Sequence, residues 1–160
     1  METEQAMAVE LEGIVKRFPG VVANDGVDLA VRRGEIHALV GENGAGKSTL
    51  MKILYGMQSP DEGTMTVDGS PVAFKSPKDA IASGIGMVHQ HFMLADQLTV
   101  LENIILGNEP AAGGRIDFTD ARRRIRELAV GYGLDVDPDE AVETLGVGER
   151  QRVEIIKVLF

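Results

Sequence analysis

The stretch Gly41-Glu42-Asn43-Gly44-Ala45-Gly46-Lys47-Ser48-Thr49 constrains this chain more than any other. It fits the pattern G-x-x-x-x-G-K-[ST], and it stands where that pattern can work. Ahead of it, Glu35-Ile36-His37-Ala38-Leu39-Val40 is short and apolar, which predicts a strand; behind it, Leu50, Met51, Ile53 and Leu54 recur at helical spacing. Glycines let the backbone curl with its N–H groups turned inward, and the following helix aims its positive dipole end at the same point. Such a loop holds phosphates. Lys47 is placed to reach the terminal phosphates of a nucleotide, and the Ser48 hydroxyl to ligate Mg²⁺. An ordinary glycine turn before a helix is the alternative, and the strand ahead and helix behind disfavour it.

The bulk properties bound the rest. A chain of 160 residues accommodates one domain or most of one, and 44% apolar residues suffice for a core. The formal charge of −9 argues against a sequence-independent nucleic-acid surface. With no cysteine there is neither a disulfide nor a thiolate metal site. No apolar run approaches the roughly 20 residues that span a bilayer. Residues 1–8 are acidic and polar, unlike a secretory signal, and are expected to be a flexible N-terminus ahead of a domain over 9–160. The expectation is a soluble chain with no direct membrane insertion.

Val9 to Lys16 alternates as a half-buried strand, and Val27 to Val31 forms another. Arg32-Arg33-Gly34 turns into the strand that feeds the phosphate loop. The helix after the loop ends near Gly56. Ser59 to Gly63 is a turn, Thr64 to Val67 a strand, and Asp68-Gly69 a further turn. Ser76-Pro77 opens a helix that ends at Gly84, followed by an expected strand at Ile85-Gly86-Met87-Val88. Thr99-Val100-Leu101-Glu102 is a capping box ahead of Ile104, Ile105 and Leu106. Pro110 to Gly114 reads as loop. Thr119 is expected to cap an arginine-rich helix reaching about Tyr132, Gly133 to Glu140 is acidic loop, and an amphipathic helix runs from about Gly148. Strands alternating with helices indicate α/β, with antiparallel strands gathered at the N-terminus.

Three further segments narrow the reading. Gly86-Met87-Val88-His89-Gln90-His91-Phe92-Met93-Leu94 places a glutamine just after an expected strand. Leu145-Gly146-Val147-Gly148-Glu149-Arg150-Gln151-Arg152-Val153 places a glycine-rich turn at a helix start. Lys16-Arg17-Phe18-Pro19-Gly20 puts an aromatic in a turn upstream of the phosphate loop. Together these resemble the ATP-binding subunits of ABC transporters, from about Val9 to Phe160. Within them, Gly86 to Leu94 followed by Leu98 to Ile104 looks like the bacterial nucleoside and simple-sugar importers.

That resemblance implies a P-loop NTPase fold with an N-terminal antiparallel β subdomain and a helical subdomain. It implies ATP and Mg²⁺ as ligands. Phe18 would stack on adenine. Gly41, Glu42, Asn43, Gly44, Ala45, Gly46, Lys47, Ser48 and Thr49 would hold the phosphates, with Ser48 on Mg²⁺. Gln90 would reach the metal and the attacking water, and the residues after it would face a membrane permease. Leu145, Gly146, Val147, Gly148 and Glu149 would be the signature that grips ATP on a second, opposing nucleotide-binding domain. The location implied is the cytoplasmic face of the bacterial inner membrane, as a peripheral subunit.

Two departures from the family pattern stand out. Gly146 occupies a position where the signature has a serine on the γ-phosphate, so the composite site is expected to be weaker. In the family the Walker B strand with its metal-binding aspartate and catalytic glutamate, the loop that contacts the opposing domain, and the switch histidine all come after the helix that follows the signature, and this sequence stops at Phe160, still inside that helix. The expectation is therefore a nucleotide-binding domain incomplete at its C-terminus, and residues 1–160 alone are expected to bind Mg·ATP weakly without turnover. Without the Walker B strand beside it, the segment Ile36 to Val40 is expected to present an unpaired apolar edge.

Other residues carry blander readings. His89 and His91 lack a third ligand at sensible spacing and are read as structural or surface residues. His37 is read as a hydrogen-bonded histidine in the core strand. Arg122, Arg123, Arg124 and Arg126 are read as a solvated ionic face, and Met51 and Met87 as core. Three functional readings stay open: the energy-coupling ATPase of an importer, a soluble relative acting on ribosomes or DNA, and a non-hydrolysing ATP-binding module. The importer-like segment after Gln90 favours the first.

Overall fold

The computed structural model describes residues 6–112 and 114–160. These form two compact units, one up to Gly86 and one from Met87 to Phe160. Residues 1–5 of the expected flexible terminus lie outside the described residues, as does Gly113 of the expected loop. Met7 and Ala8, expected in that terminus, already belong to the first strand.

In the first unit, β1 (Met7–Phe18) and β2 (Val21–Arg32) form a long hairpin. With β3 (Glu62–Val67) and β4 (Ser70–Val72) they make an antiparallel sheet of order β2-β1-β3-β4. The alternation of β1 breaks at Gly13. The register shifts between Leu11 and Ile14, Gly13 adopts φ +60°, and its N–H donates to Asp28 Oδ1 at 2.6 Å. This bulge lets Leu11, Ile14 and Val15 all turn into the core, where strict alternation would have exposed Ile14. At Gly63 β3 passes close to the bulge: a Cβ there would lie 2.6 Å from the carbonyl oxygens of Glu12 and Gly13. Helices α1 (Lys47–Leu54) and α2 (Pro77–Ala82) complete the unit. Leu50 and Ile53 from α1 and Ala80 from α2 join Leu11, Ile14, Met65, Val67 and Phe74 in one core, with Met51 packed at its edge.

Glu35 to Val40 is no strand. It pairs with no strand among the described residues, and Ile36 and Val40 are 99% and 88% exposed. Its sequence is that of a strand buried by neighbours on both sides, and such a run has no stable sheet of its own. The segment is apolar, exposed and unpaired as expected, but as irregular chain and not as the edge of a strand. His37 is exposed with it, its Nδ1 2.9 Å from Glu35 Oε1, so its reading as a core histidine is corrected while its hydrogen bond stands. Ile85 to Val88 likewise joins no ladder.

The second unit is helical. Its core is built by α3 (Val100–Ile105), α4 (Phe118–Tyr132) and α5 (Val147–Leu159). Val100, Leu101, Ile104 and Ile105 meet Ala121, Ile125 and Ala129 of α4 and Val153 and Ile156 of α5, with Val142 and Leu145. Asp117, not Thr119, caps α4: its carboxylate accepts from the N–H groups of Thr119 and Asp120 at 3.1 and 2.9 Å. An ionised carboxylate two residues upstream takes the free amides before the threonine can. The expected loop after Pro110 contains a two-residue hairpin, β5 (Ala111–Ala112) with β6 (Arg115–Ile116). Arg122 and Arg126 pair with Asp139, and Arg123 with Asp120 and Glu127, as a solvated face requires. Arg124 differs, lying 4.0 Å from the Phe160 ring centroid and donating to the Phe160 carbonyl.

Candidate functional site: phosphate loop and signature turn

Gly41 to Gly46 forms an exposed turn that ends directly in α1, with Gly46 at the N-cap in the left-handed region, φ +82°. A Cβ on Gly46 would meet Ala23 O at 2.0 Å and Asn24 Nδ2 at 2.8 Å. Only glycine fits, and it brings the loop against β2. There the buried Asn24 donates from Nδ2 to Gly46 O at 3.3 Å, while its Oδ1 has no hydrogen-bond partner. Gly44 also has positive φ, +88°, and Ala45 N–H donates to Glu42 O. The Lys47 ammonium folds back over the loop, 2.7 Å from the carbonyls of both Gly41 and Glu42. Ser48 is exposed in the first turn of α1, where helix amides have no intrahelical partner. Free amides, an ammonium and a hydroxyl on one turn form a donor set that fits a polyphosphate with its Mg²⁺.

Phe18 ends β1 at the tip of the hairpin, 36% exposed, with Lys16 Nζ 5.8 Å from the ring centroid. A pair of acids unmarked in the sequence fixes this tip. Asp61 accepts from Arg17 N–H at 2.6 Å and from Lys16 Nζ at 2.9 Å, and Glu62 pairs with Arg17 at 2.7 Å. The Arg17 amide first, and the Lys16 ammonium second, hold the Asp61 carboxyl below the usual aspartate range. An aromatic face anchored this way can stack on a planar base.

The remaining site residues belong to the second unit. Gln90 is exposed in an irregular segment, with His89 half-buried and His91 exposed beside it. Leu145 to Glu149 forms the start of α5, which begins at Val147 with Gly146 as N-cap, one residue ahead of the expected start. Val147 is 73% exposed, and the Glu149 carboxylate accepts from Gly146 N–H at 2.7 Å. The turn therefore offers helix-start amides, one of them already taken by its own acid.

Sequence reasoning missed Asn103 and Glu154, which are buried at 0% and 3% exposure. Asn103 bonds both the N–H and the carbonyl of Ala95, and Glu154 accepts from Met93 N–H at 2.7 Å. Each is a polar residue among apolar ones on a helix (Leu101, Ile104 and Ile105; Val153, Ile155 and Ile156), the signal that could have marked it.

Residues 24–160 match the family model for ABC transporters. The glucose import ATP-binding protein TsgD13 of Haloferax volcanii is 52% identical over 95% of this chain, and the guanosine import ATP-binding protein NupO of Bacillus subtilis 51% over 95%. The nucleoside import ATP-binding protein NupA of Lactococcus lactis subsp. cremoris is 53% identical over a similar span. The chain covers 33% of the first of these relatives and 30% of the other two. Among solved structures, cbiO1 from Clostridium perfringens, part of the ABC transporter complex cbiONQ, superposes with TM-score 0.78 at 26% identity, over 97% of this chain and 62% of that one. A nucleotide-free ATP-binding cassette from an ABC transporter gives 0.79 over 96% and 64%. The glycine loop ahead of α1, the glycine-containing turn ahead of α5 and the antiparallel N-terminal sheet thus occur together in a chain that belongs to the ABC transporter family and is similar to its nucleoside and sugar import ATP-binding proteins.

Proposed function

We propose that this chain binds Mg·ATP and, in the whole protein, takes part in the hydrolysis that powers import of a nucleoside or simple sugar through a membrane permease. The observation that carries the reading is the loop Gly41–Thr49, whose Gly46 admits no side chain and whose Lys47 ammonium already rests on loop carbonyls. Phosphate oxygens are stronger acceptors than those carbonyls, so the ammonium exchanges them for the β- and γ-phosphates as the nucleotide enters. The amides at the start of α1 take charge on the same oxygens, and Phe18 supports the adenine. The Ser48 hydroxyl would hold Mg²⁺, which would supply neutralisation of phosphate charge. Gln90 is assigned to the metal and the attacking water.

Leu145 to Glu149 is assigned to ATP on an opposing domain, in a composite site weakened because Gly146 has no hydroxyl and its amide is bound to Glu149. The segment after Gln90 is assigned to the permease. No helix among the described residues is long and apolar enough to cross a membrane. Attachment through that partner, at the cytoplasmic face, follows from the importer reading.

Lys47→Ala tests this in the whole protein. Loss of a charged hydrogen bond predicts a Kd for Mg·ATP raised roughly 10- to 100-fold, read by titration calorimetry. ATP-driven uptake into vesicles should disappear with it. An unchanged Kd overturns the assignment.

A further inference from the structure

Beyond Gln90 the chain runs through Phe92 and Met93, which are 36% and 65% exposed. Their side chains are free to meet a partner, yet the backbone at Met93 is held. Its N–H donates to the buried Glu154 carboxylate at 2.7 Å, and its carbonyl accepts from Lys157 Nζ at 3.3 Å. Both residues lie on α5, the helix that the signature turn begins. Two residues on, Ala95 is bound at both N–H and carbonyl by Asn103, at 2.7 and 3.0 Å. Asp96 then takes Arg150 at 2.6 Å, and Arg150 also donates from Nε to the carbonyl of Leu145, the first signature residue, at 3.1 Å. The Asp96 carbonyl accepts from Glu143 N–H, and the Leu98 carbonyl from Val142 N–H, in the turn leading into Leu145.

A surface loop ordinarily gives its backbone groups to water. Here the backbone at Met93 is given to α5, at Ala95 to α3, and at Asp96 and Leu98 to the turn before α5. A buried carboxylate is costly to desolvate and persists only with strong partners, so Glu154 fixes Met93 firmly.

We propose that Glu154, Lys157 and Arg150 are positioning residues that make Met93–Leu98 one rigid piece with the signature turn. A partner pressing on the exposed faces of Phe92 and Met93 then displaces Leu145–Glu149 directly, through α5, instead of bending a slack loop. The inference rests on the importer reading for the identity of the partner, a membrane permease, but not for the tether itself.

The test uses the whole protein with its permease and three variants. Glu154→Leu removes the acceptor, Glu154→Gln keeps an acceptor oxygen, and Asp96→Ala breaks the exposed Arg150 pair without touching the core. Amide hydrogen exchange reads the tether, and the ratio of permease-stimulated to basal ATPase reads its use. Glu154→Leu should speed exchange at Met93 about tenfold and at Leu145–Glu149 in parallel, and lower the stimulated-to-basal ratio by a similar factor. Mg·ATP affinity should stay within about twofold, and Glu154→Gln should restore most of the ratio. Asp96→Ala should cut the ratio about threefold.

Unchanged exchange at Met93 in Glu154→Leu overturns the tether, as does fast exchange with a full ratio. A Glu154→Leu protein that does not fold leaves Asp96→Ala to decide, and an undiminished ratio there overturns the proposal. A wild-type protein that no import permease stimulates overturns the importer reading. Exchange then decides the tether: change at Met93 and Leu145–Glu149 together supports it, and change at Met93 alone overturns it.

Discussion

Gly41–Gly46 and Met93–Leu98 are both short exposed loops, but one is shaped by its own backbone and the other by side chains from elsewhere. In the first, positive φ at Gly44 and Gly46 sets the curve, and Lys47 lies across two carbonyls. In the second, Asn103, Arg150, Glu154 and Lys157 reach in from α3 and α5. A loop that receives a ligand needs donors that the ligand can take over from weaker local acceptors, so its shape is best set by backbone conformation and not by side chains from elsewhere. A loop that passes on a displacement must have no slack. The difference predicts different failures: backbone substitutions should ruin the first, and distant side-chain substitutions the second.

The largest effect is expected at Gly46. Alanine there would be held in the left-handed region and driven into Ala23 O, 2.0 Å from the new Cβ. Backbone strain and overpacking together predict a loss of about 4 kcal/mol, read by urea unfolding of the whole protein. Nucleotide binding should vanish in any folded fraction. A Gly46→Ala protein of wild-type stability would break the comparison, since the loop would then not depend on glycine geometry.

The second loop should fail through Asn103. Asn103→Ala removes the donor and acceptor that bind both sides of Ala95, and the Nδ2 bond to Thr99 O at 3.0 Å. Leaving those groups unpaired predicts about 3 kcal/mol of destabilisation and fast exchange at Ala95. Mg·ATP affinity should be little changed by comparison with Lys47→Ala. If Asn103→Ala instead weakens nucleotide binding as strongly as Lys47→Ala does, the two loops are not separable in this way.

The same contrast decides what could be read from the sequence. The phosphate loop is legible because its causes are local: glycines, lysine and hydroxyl all fall between Gly41 and Thr49. Strands β1 and β3 are legible from their own alternation and neighbouring turns, whereas the first half of β2, the short β4 and the β5–β6 hairpin carry too little local pattern to be expected. Glu35 to Val40 misled because an apolar run states what a strand would bury, and not whether a neighbour is present to bury it. Ile36 at 99% exposure is the consequence. The bulge at Gly13 was hidden by a pattern that alternates well enough on paper. Asp117 was overlooked as a cap because Thr119 also qualifies by type. Glu154 could not have been linked to Met93, since nothing between residues 93 and 154 records that a helix carboxylate ends beside that amide.

The mildest effect falls at Thr99, where the held loop enters α3. Its hydroxyl accepts from Glu102 N–H at 3.2 Å, and Glu102 Oε2 accepts from Thr99 N–H at 2.8 Å and from the hydroxyl at 2.9 Å. Thr99→Ala should cost about 1 kcal/mol, as cap losses do. The Thr99 amide chiefly, and its hydroxyl next, hold the Glu102 carboxyl below the usual glutamate range. A carboxylate with a lowered folded-state pKa binds its proton more readily when unfolded, so its stabilisation is complete above the ordinary pKa of about 4.3. That stabilisation fades as pH falls through the lower folded value. Other carboxylates titrate nearby, so the useful quantity is the wild-type urea midpoint minus that of Glu102→Gln, followed from pH 5.5 down to 3, values chosen to bracket the range near 4.3. The difference should be largest at the top of the range and shrink toward the bottom. A difference constant with pH would mean that the carboxylate does not hold the start of α3, and that this end of the loop is fixed by its other bonds, those of Asn103 and Val142 among them.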